Sequence, residues 1–133
     1  MSVPATLVDT LQGALADHQE IGLALLFGSS ARGRVRPDSD VDVAVLGRNL
    51  DLLALAADLA DAVKGQVDVV DLAQAGYPLT QALLRDGIVI HEGRPGTAAA
   101  WRTRAILETE TDRPWFERMR DAYLRRLAER DRG

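Results

Sequence analysis

Phe27-Gly-Ser-Ser-Ala-Arg-Gly-Arg-Val-Arg-Pro-Asp-Ser-Asp-Val-Asp-Val-Ala-Val-Leu46 sets a turn of small residues and three arginines ahead of two closely spaced carboxylates. From Val41 the apolar residues alternate: Val41, Val43 and Val45 share one face of a strand, and Asp40, Asp42 and Ala44 share the other. Side chains two apart on a strand lie roughly 7 Å apart on the same side. Two like charges held that close repel, and one titrates upward unless a cation lies between them. Hard divalent cations such as Mg²⁺ take carboxylate oxygens and share them with a substrate's phosphates. The stretch therefore reads as a metal–nucleotide site, against the plainer alternative of a polar turn at Pro37-Asp38-Ser39 feeding a strand.

Working outward, the chain alternates helix and strand. Ser2-Val-Pro4 followed by Leu7, Leu11 and Leu15 predicts a helix ending near His18. Residues 21–27 form a continuous apolar run of the kind buried on both faces. Residues 28–34 read as a turn entering a brief helix, and residues 41–46 as the next strand. Residues 50–64 carry apolar positions at helical spacing, closed by Gly65. Val67-Asp-Val-Val-Asp-Leu72 lies in a third strand. Pro78 opens a short helix that stops at Gly87, and Ile88-Val-Ile90 is a fourth strand. Two polar helices are expected over residues 98–110 and 114–130, broken at residues 111–114. The pattern predicts an α/β domain, a small mixed sheet with helices packed on it. Residues 1–95 are expected to make the core that carries the site, and residues 96–133 a helical extension of the same domain.

Composition limits the rest. A chain of 133 residues, 47% hydrophobic and 27% charged, suits one folded domain with a single core. The absence of cysteine rules out disulfides and thiolate metal sites, and is compatible with a reducing compartment. No apolar run reaches the roughly 20 residues a bilayer span needs, and the start lacks a signal-peptide pattern. The expected location is the cytoplasm. With a net charge of −4 the surface as a whole does not attract nucleic acid, so no direct nucleic-acid binding and no membrane association are expected. Lys64 is the only lysine. Arg32, Arg34 and Arg36 crowd the motif, and a second basic group lies beyond Arg102.

Gly28-Ser29, ten intervening residues, then Asp40-Val-Asp42 resembles the signature of the DNA polymerase β-like nucleotidyltransferases. The short chain and the wording of this stretch look most like the minimal nucleotidyltransferase branch, whose members include antitoxins of HEPN-type ribonuclease toxins. The resemblance covers roughly residues 23–92. It implies a polymerase-palm-like fold and an enzyme that moves AMP from ATP to a hydroxyl with two Mg²⁺ ions. That hydroxyl is expected on a tyrosine of a cognate HEPN toxin held in a hetero-oligomer, which the modification silences.

Two metal ions about 4 Å apart can activate the attacking oxygen and stabilise the leaving one. Two carboxylates serve two metals poorly, so a third acid on a neighbouring strand is required. Asp68 and Asp71 fall on opposite faces of their strand, so only one can join Asp40 and Asp42. The resemblance places the third metal-binding Asp early in that strand and so favours Asp68, leaving Asp71 as a strand-end cap. Gly28 admits a close triphosphate, Ser29 supplies a hydroxyl donor, and Arg32 can pair bidentately with phosphate oxygens. Ser39 joins this nucleotide-binding set. The loop is no Walker A loop, for it lacks the Gly-Lys-Ser/Thr ending.

His18 is expected at a helix end, meeting carbonyls or the dipole, and His91 at a strand end. Arg85 and His91 show the Arg-x5-His spacing of HEPN ribonucleases, but Gly87 and Ile88-Val-Ile90 break the helix such a motif needs. The chain therefore looks like the nucleotidyltransferase partner. Trp101, Trp115, Phe116 and Tyr123 sit among arginines in the last forty residues, a composition that interfaces favour; the plainer reading has them covering the sheet. Two rivals remain. One is a small-molecule nucleotidyltransferase of the aminoglycoside-modifying kind, which generally carries an additional substrate domain. The other is a binding-only antitoxin that acts by occlusion.

Overall fold

The computed structural model describes residues 5–28 and 41–132. Helix α1 (Ala5–Leu15) leads into strand β1 (Ile21–Phe27), and β2 (Val41–Gly47) follows. Helix α2 (Leu52–Val63) connects β2 to β3 (Val67–Asp71), and a single 3₁₀ turn over Leu72–Gln74 extends β3. Helix α3 (Tyr77–Asp86), strand β4 (Ile88–Glu92) and the long helix α4 (Thr97–Arg132) complete the chain. The sheet runs β3-β2-β1-β4. Its β1–β2 and β1–β4 pairs are antiparallel and its β2–β3 pair is parallel. This is the mixed α/β sheet expected from the alternation of patterns.

Strand β1 is central, and its apolar run has the physical reason anticipated: both faces are covered. Leu23, Ala24, Leu25 and Leu26 are all fully buried. On one face α1 and α2 lay Leu11, Leu15, Leu55 and Leu59 against Ala24, Leu26 and the valines of β2. On the other, α3 and the start of α4 bring Leu79, Leu83, Ala98 and Trp101 over Leu23, Leu25 and Ala44. The alternation in β2 is thus a two-layer code, with Val41, Val43 and Val45 facing the first layer and Ala44 and Leu46 the second.

Local chemistry sets the helix ends. Asp51 caps α2, its Oδ1 accepting from the backbone N–H of Ala54 at 3.1 Å, which satisfies one of the unpaired first-turn donors. The stop differs from expectation. Lys64, not Gly65, takes the left-handed conformation, with φ 58° and ψ 42°, and the Gly65 N–H reaches back to the Ala60 carbonyl at 3.2 Å. An L-residue in that region costs about 1–2 kcal/mol, which the capping bond and the packing of α2 override.

The C-terminal region also differs. The two expected helices are one, 36 residues long, with Pro114 inside it. Proline removes one N–H and crowds the carbonyl four residues back, yet the helix runs on through it, with Phe116 stacked on Tyr77 just beyond. An Arg113–Glu110 ion pair, one turn apart, spans the same stretch. Thr109 and Thr111 return their hydroxyls to the carbonyls of Ile106 and Leu107. Among the described residues no helix is long and apolar enough to cross a membrane.

Candidate active site

The acidic strand positions come together across the parallel pair. In the β2–β3 register Asp42 is the partner of Asp68, and neighbouring strands lie about 4.8 Å apart. Partners in a parallel register point to the same side, so the two carboxylates stand abreast, Asp42 half-buried and Asp68 exposed. They occupy the end of the face that Ala44, Leu46 and Val70 continue under α3 and α4. Asp42 is also the register partner of Phe27 in β1, which brings the end of the apolar strand beside the acids.

Gly28 closes the third side. Its φ is +75°, and a Cβ built there would lie 2.4 Å from Asp42 Oδ2. The backbone angle favours glycine, and a side chain there would oblige the Asp42 carboxylate to shift. Two abreast carboxylates beside a backbone cradle that a methyl would fill are a donor set suited to a hard divalent cation. Among the described residues no group of three His, Cys, Asp or Glu side chains gathers into a metal-holding cluster. Asp40, Ser29, Arg32 and Ser39 lie outside the described residues, as do Arg34 and Arg36.

Asp71 does something else. It is the register partner of Val45, whose side chain belongs to the opposite layer. Its Oδ1 accepts the Ala73 N–H at 2.9 Å and caps the 3₁₀ turn. Arg85 lies on α3 and His91 on β4, so their spacing does not describe one helical face.

His18 is not a carbonyl cap. Its Nδ1 lies 2.9 Å from Glu20 Oε1 and its Nε2 3.0 Å from Asp58 Oδ2 on α2. The hydrogen bond to Glu20 foremost, aided by the charges of Glu20 and Asp58 and opposed by partial burial, raises the imidazole's pKa above its ordinary value. Glu20 is held below its usual range by its own backbone N–H and then by His18. The sequence carries little sign of this clasp, because Asp58 is forty residues from His18.

The four C-terminal aromatics divide. Trp101 packs in the second core layer, and Phe116 stacks on Tyr77 of α3 with ring centroids 4.7 Å apart. Trp115 and Tyr123 are 58% and 59% exposed, along with Met119 and Leu124. Trp115, Met119, Tyr123 and Leu127 recur every four residues, which sets them along one side of α4.

A mixed sheet with an acid pair on adjacent strands and a positive-φ glycine against one acid is the layout of a nucleotidyl-transfer domain. Residues 9–95 match the polymerase beta nucleotidyltransferase family, and the chain belongs to it. The chain is 40% identical over 72 residues to protein adenylyltransferase MntA of Shewanella oneidensis, an alignment covering 51% of this chain and 52% of the relative. It thus spans about half the length of that curated relative. Among solved structures, it is similar to a chain of a toxin–antitoxin complex crystallised with AMP-PNP. That likeness has a TM-score of 0.77 at 25% identity and covers 88% of this chain and 98% of the other. A chain of the MntA–HepT toxin–antitoxin structure aligns with a TM-score of 0.72 at 25% identity, over 91% and 99% of the two chains.

Proposed function

We propose that this chain moves AMP from ATP to a hydroxyl of a partner protein, a tyrosine of a HEPN-type toxin, and so acts as its antitoxin. The register that sets Asp42 beside Asp68, with Gly28 against the Asp42 carboxylate, carries the reading. Membership of the nucleotidyltransferase family supports the reaction class. The name of the Shewanella relative supports a protein acceptor, the AMP-PNP complex supports an adenine nucleotide donor, and the MntA–HepT structure supports a toxin partner.

In the reaction the acceptor oxygen forms a bond to the α-phosphorus, the bond to the bridging oxygen breaks so that pyrophosphate departs with its electron pair, and the acceptor's proton passes to solvent water. Asp42 and Asp68, with Asp40, would hold Mg²⁺. Bound there, the ions would offset the charge of the triphosphate and of the attacking and leaving oxygens. The chain's own part is to fix the carboxylates. Strand pairing sets the spacing of Asp42 and Asp68, and Gly28 leaves room for the Asp42 carboxylate. Ser29, Arg32 and Ser39 would hold the phosphates by charge-assisted and hydroxyl hydrogen bonds. The exposed side of α4 would dock the partner, with Trp115 as an aromatic anchor of the kind interfaces concentrate.

The test is transfer of label from ATP to the neighbouring gene product. Asp68→Asn should abolish transfer with the fold intact by circular dichroism. Asp71→Ala should keep transfer and lose about 1 kcal/mol of stability, the worth of a helix cap. An active Asp68→Asn would exclude Asp68 from the acid set.

A further inference from the structure

The end of the sheet opposite the acid pair holds a cleft. It encloses about 730 Å³ and is bordered by three arginines from three segments: Arg48 after β2, Arg94 between β4 and α4, and Arg104 on α4. All three are exposed, and among the described residues none of the ion pairs includes them. Glu20, on the same lining, is already engaged by His18.

The backbone beneath these arginines is tied together. The Arg48 N–H donates to the Glu20 carbonyl at 3.2 Å and the Gly93 N–H to the Gly22 carbonyl at 2.8 Å. Thr97 Oγ1 donates to the Arg94 carbonyl at 2.8 Å. Gly47 has no room for a side chain, since a Cβ would meet the Glu20 carbonyl oxygen at 2.3 Å. Thr97 also borders the cleft, so the electropositive first turn of α4 faces the same space. Glu92 takes one of the amides of that turn, that of Ala98, at 2.8 Å.

Leu46, Thr97 and Arg104 border a second hollow as well, about 400 Å³, whose wall includes Leu72, Ala100, Trp101 and Ala105, with Glu108 on the lining. The two spaces adjoin through shared residues, the first bordered by the arginines and the second by aliphatic side chains and an indole together with Thr80 and Glu108. Guanidinium groups match phosphate oxygens bidentately, and an indole offers a face for a planar ring.

We propose that the adjoining hollows form a binding site for a mononucleotide-type ligand. Its phosphate would lie among Arg48, Arg94 and Arg104, and its ring system against Trp101 and the apolar wall. The site is distinct from the acid pair: Asp42 and Gly47 are five residues apart on one strand, which is about 17 Å. A free polyanion would leave the apolar hollow unused, and an apolar ligand would leave the arginines unused.

Calorimetry on the full chain carrying Asp42→Asn and Asp68→Asn, which removes the acid pair, tests it with AMP, adenosine and inorganic phosphate as separate probes. AMP should bind at one site, and adenosine or phosphate alone should bind at least tenfold more weakly. Adding Arg94→Gln with Arg104→Gln should weaken AMP binding more than tenfold. No AMP binding at millimolar concentration, AMP binding indifferent to the arginine pair, or phosphate binding as tightly as AMP would each overturn the proposal. If the paired variant lost its fold by circular dichroism, Arg48→Gln would be read by the same outcomes.

Discussion

At the scale of single residues, Gly28 and His18 make the sharpest demands. Gly28→Ala should place a methyl 2.4 Å from Asp42 Oδ2 at a φ of +75°. The left-handed penalty alone is about 1–2 kcal/mol, and moving a reacting group by about 1 Å costs roughly 100-fold in rate. Label transfer should fall by that order while the variant remains folded, and unchanged transfer would mean that the Asp42 carboxylate has another position available. His18 has its pKa raised in the fold by Glu20 and Asp58, so its stabilising contribution is complete below the ordinary imidazole value. That contribution is lost as pH rises through the raised one. Thermal melts across this window should show stability falling with rising pH, and His18→Gln should flatten the profile. A wild-type profile already flat there would rule the clasp out as a source of pH dependence.

At the scale of elements, what the sequence disclosed and what it withheld follow from how local each cause is. Strands β1 and β2 could be read because their patterns state their burial directly: a continuous apolar run for the central strand, alternation for the strand with an acidic end. Placing Asp68 with Asp42 took the resemblance, since strand alternation separated Asp68 from Asp71 but did not say which faced the acids. The register now gives Asp68 a partner and Asp71 a cap. The end of α2 misled because glycine is the usual left-handed residue and Lys64 stands just before one. Pro114 misled similarly, as a proline signals a break on average, while here the Phe116–Tyr77 stack lies just beyond it in an unbroken helix. Composition alone groups Trp115 and Phe116 with Trp101 and Tyr123, yet consecutive helix positions point about 100° apart. Phe116→Ala should therefore lower stability by about 1 kcal/mol through loss of the Tyr77 stack. Trp115→Ala should leave the melt unchanged and weaken partner binding by about 2 kcal/mol. A melt lowered equally by both would assign Trp115 to the core.

At the scale of the whole molecule, the sheet's order makes the acid pair mechanically unequal. Strand β2 lies between β3 and β1, whereas among the described residues β3 is the rim of the sheet, paired on one side only. The hydrogen-bond ladders on both flanks make the Asp42 backbone stiff. The Asp68 backbone has one ladder, to β2, and is otherwise held by the packing of Val67, Val69 and Val70 into the two core layers. An adjustment of the gap between the two carboxylates, to a larger or smaller ion, should fall on β3 rather than on β2, which has a ladder on each side. Asp71, on the far face and outside the proposed chemistry, ties the end of that strand to the turn that follows it.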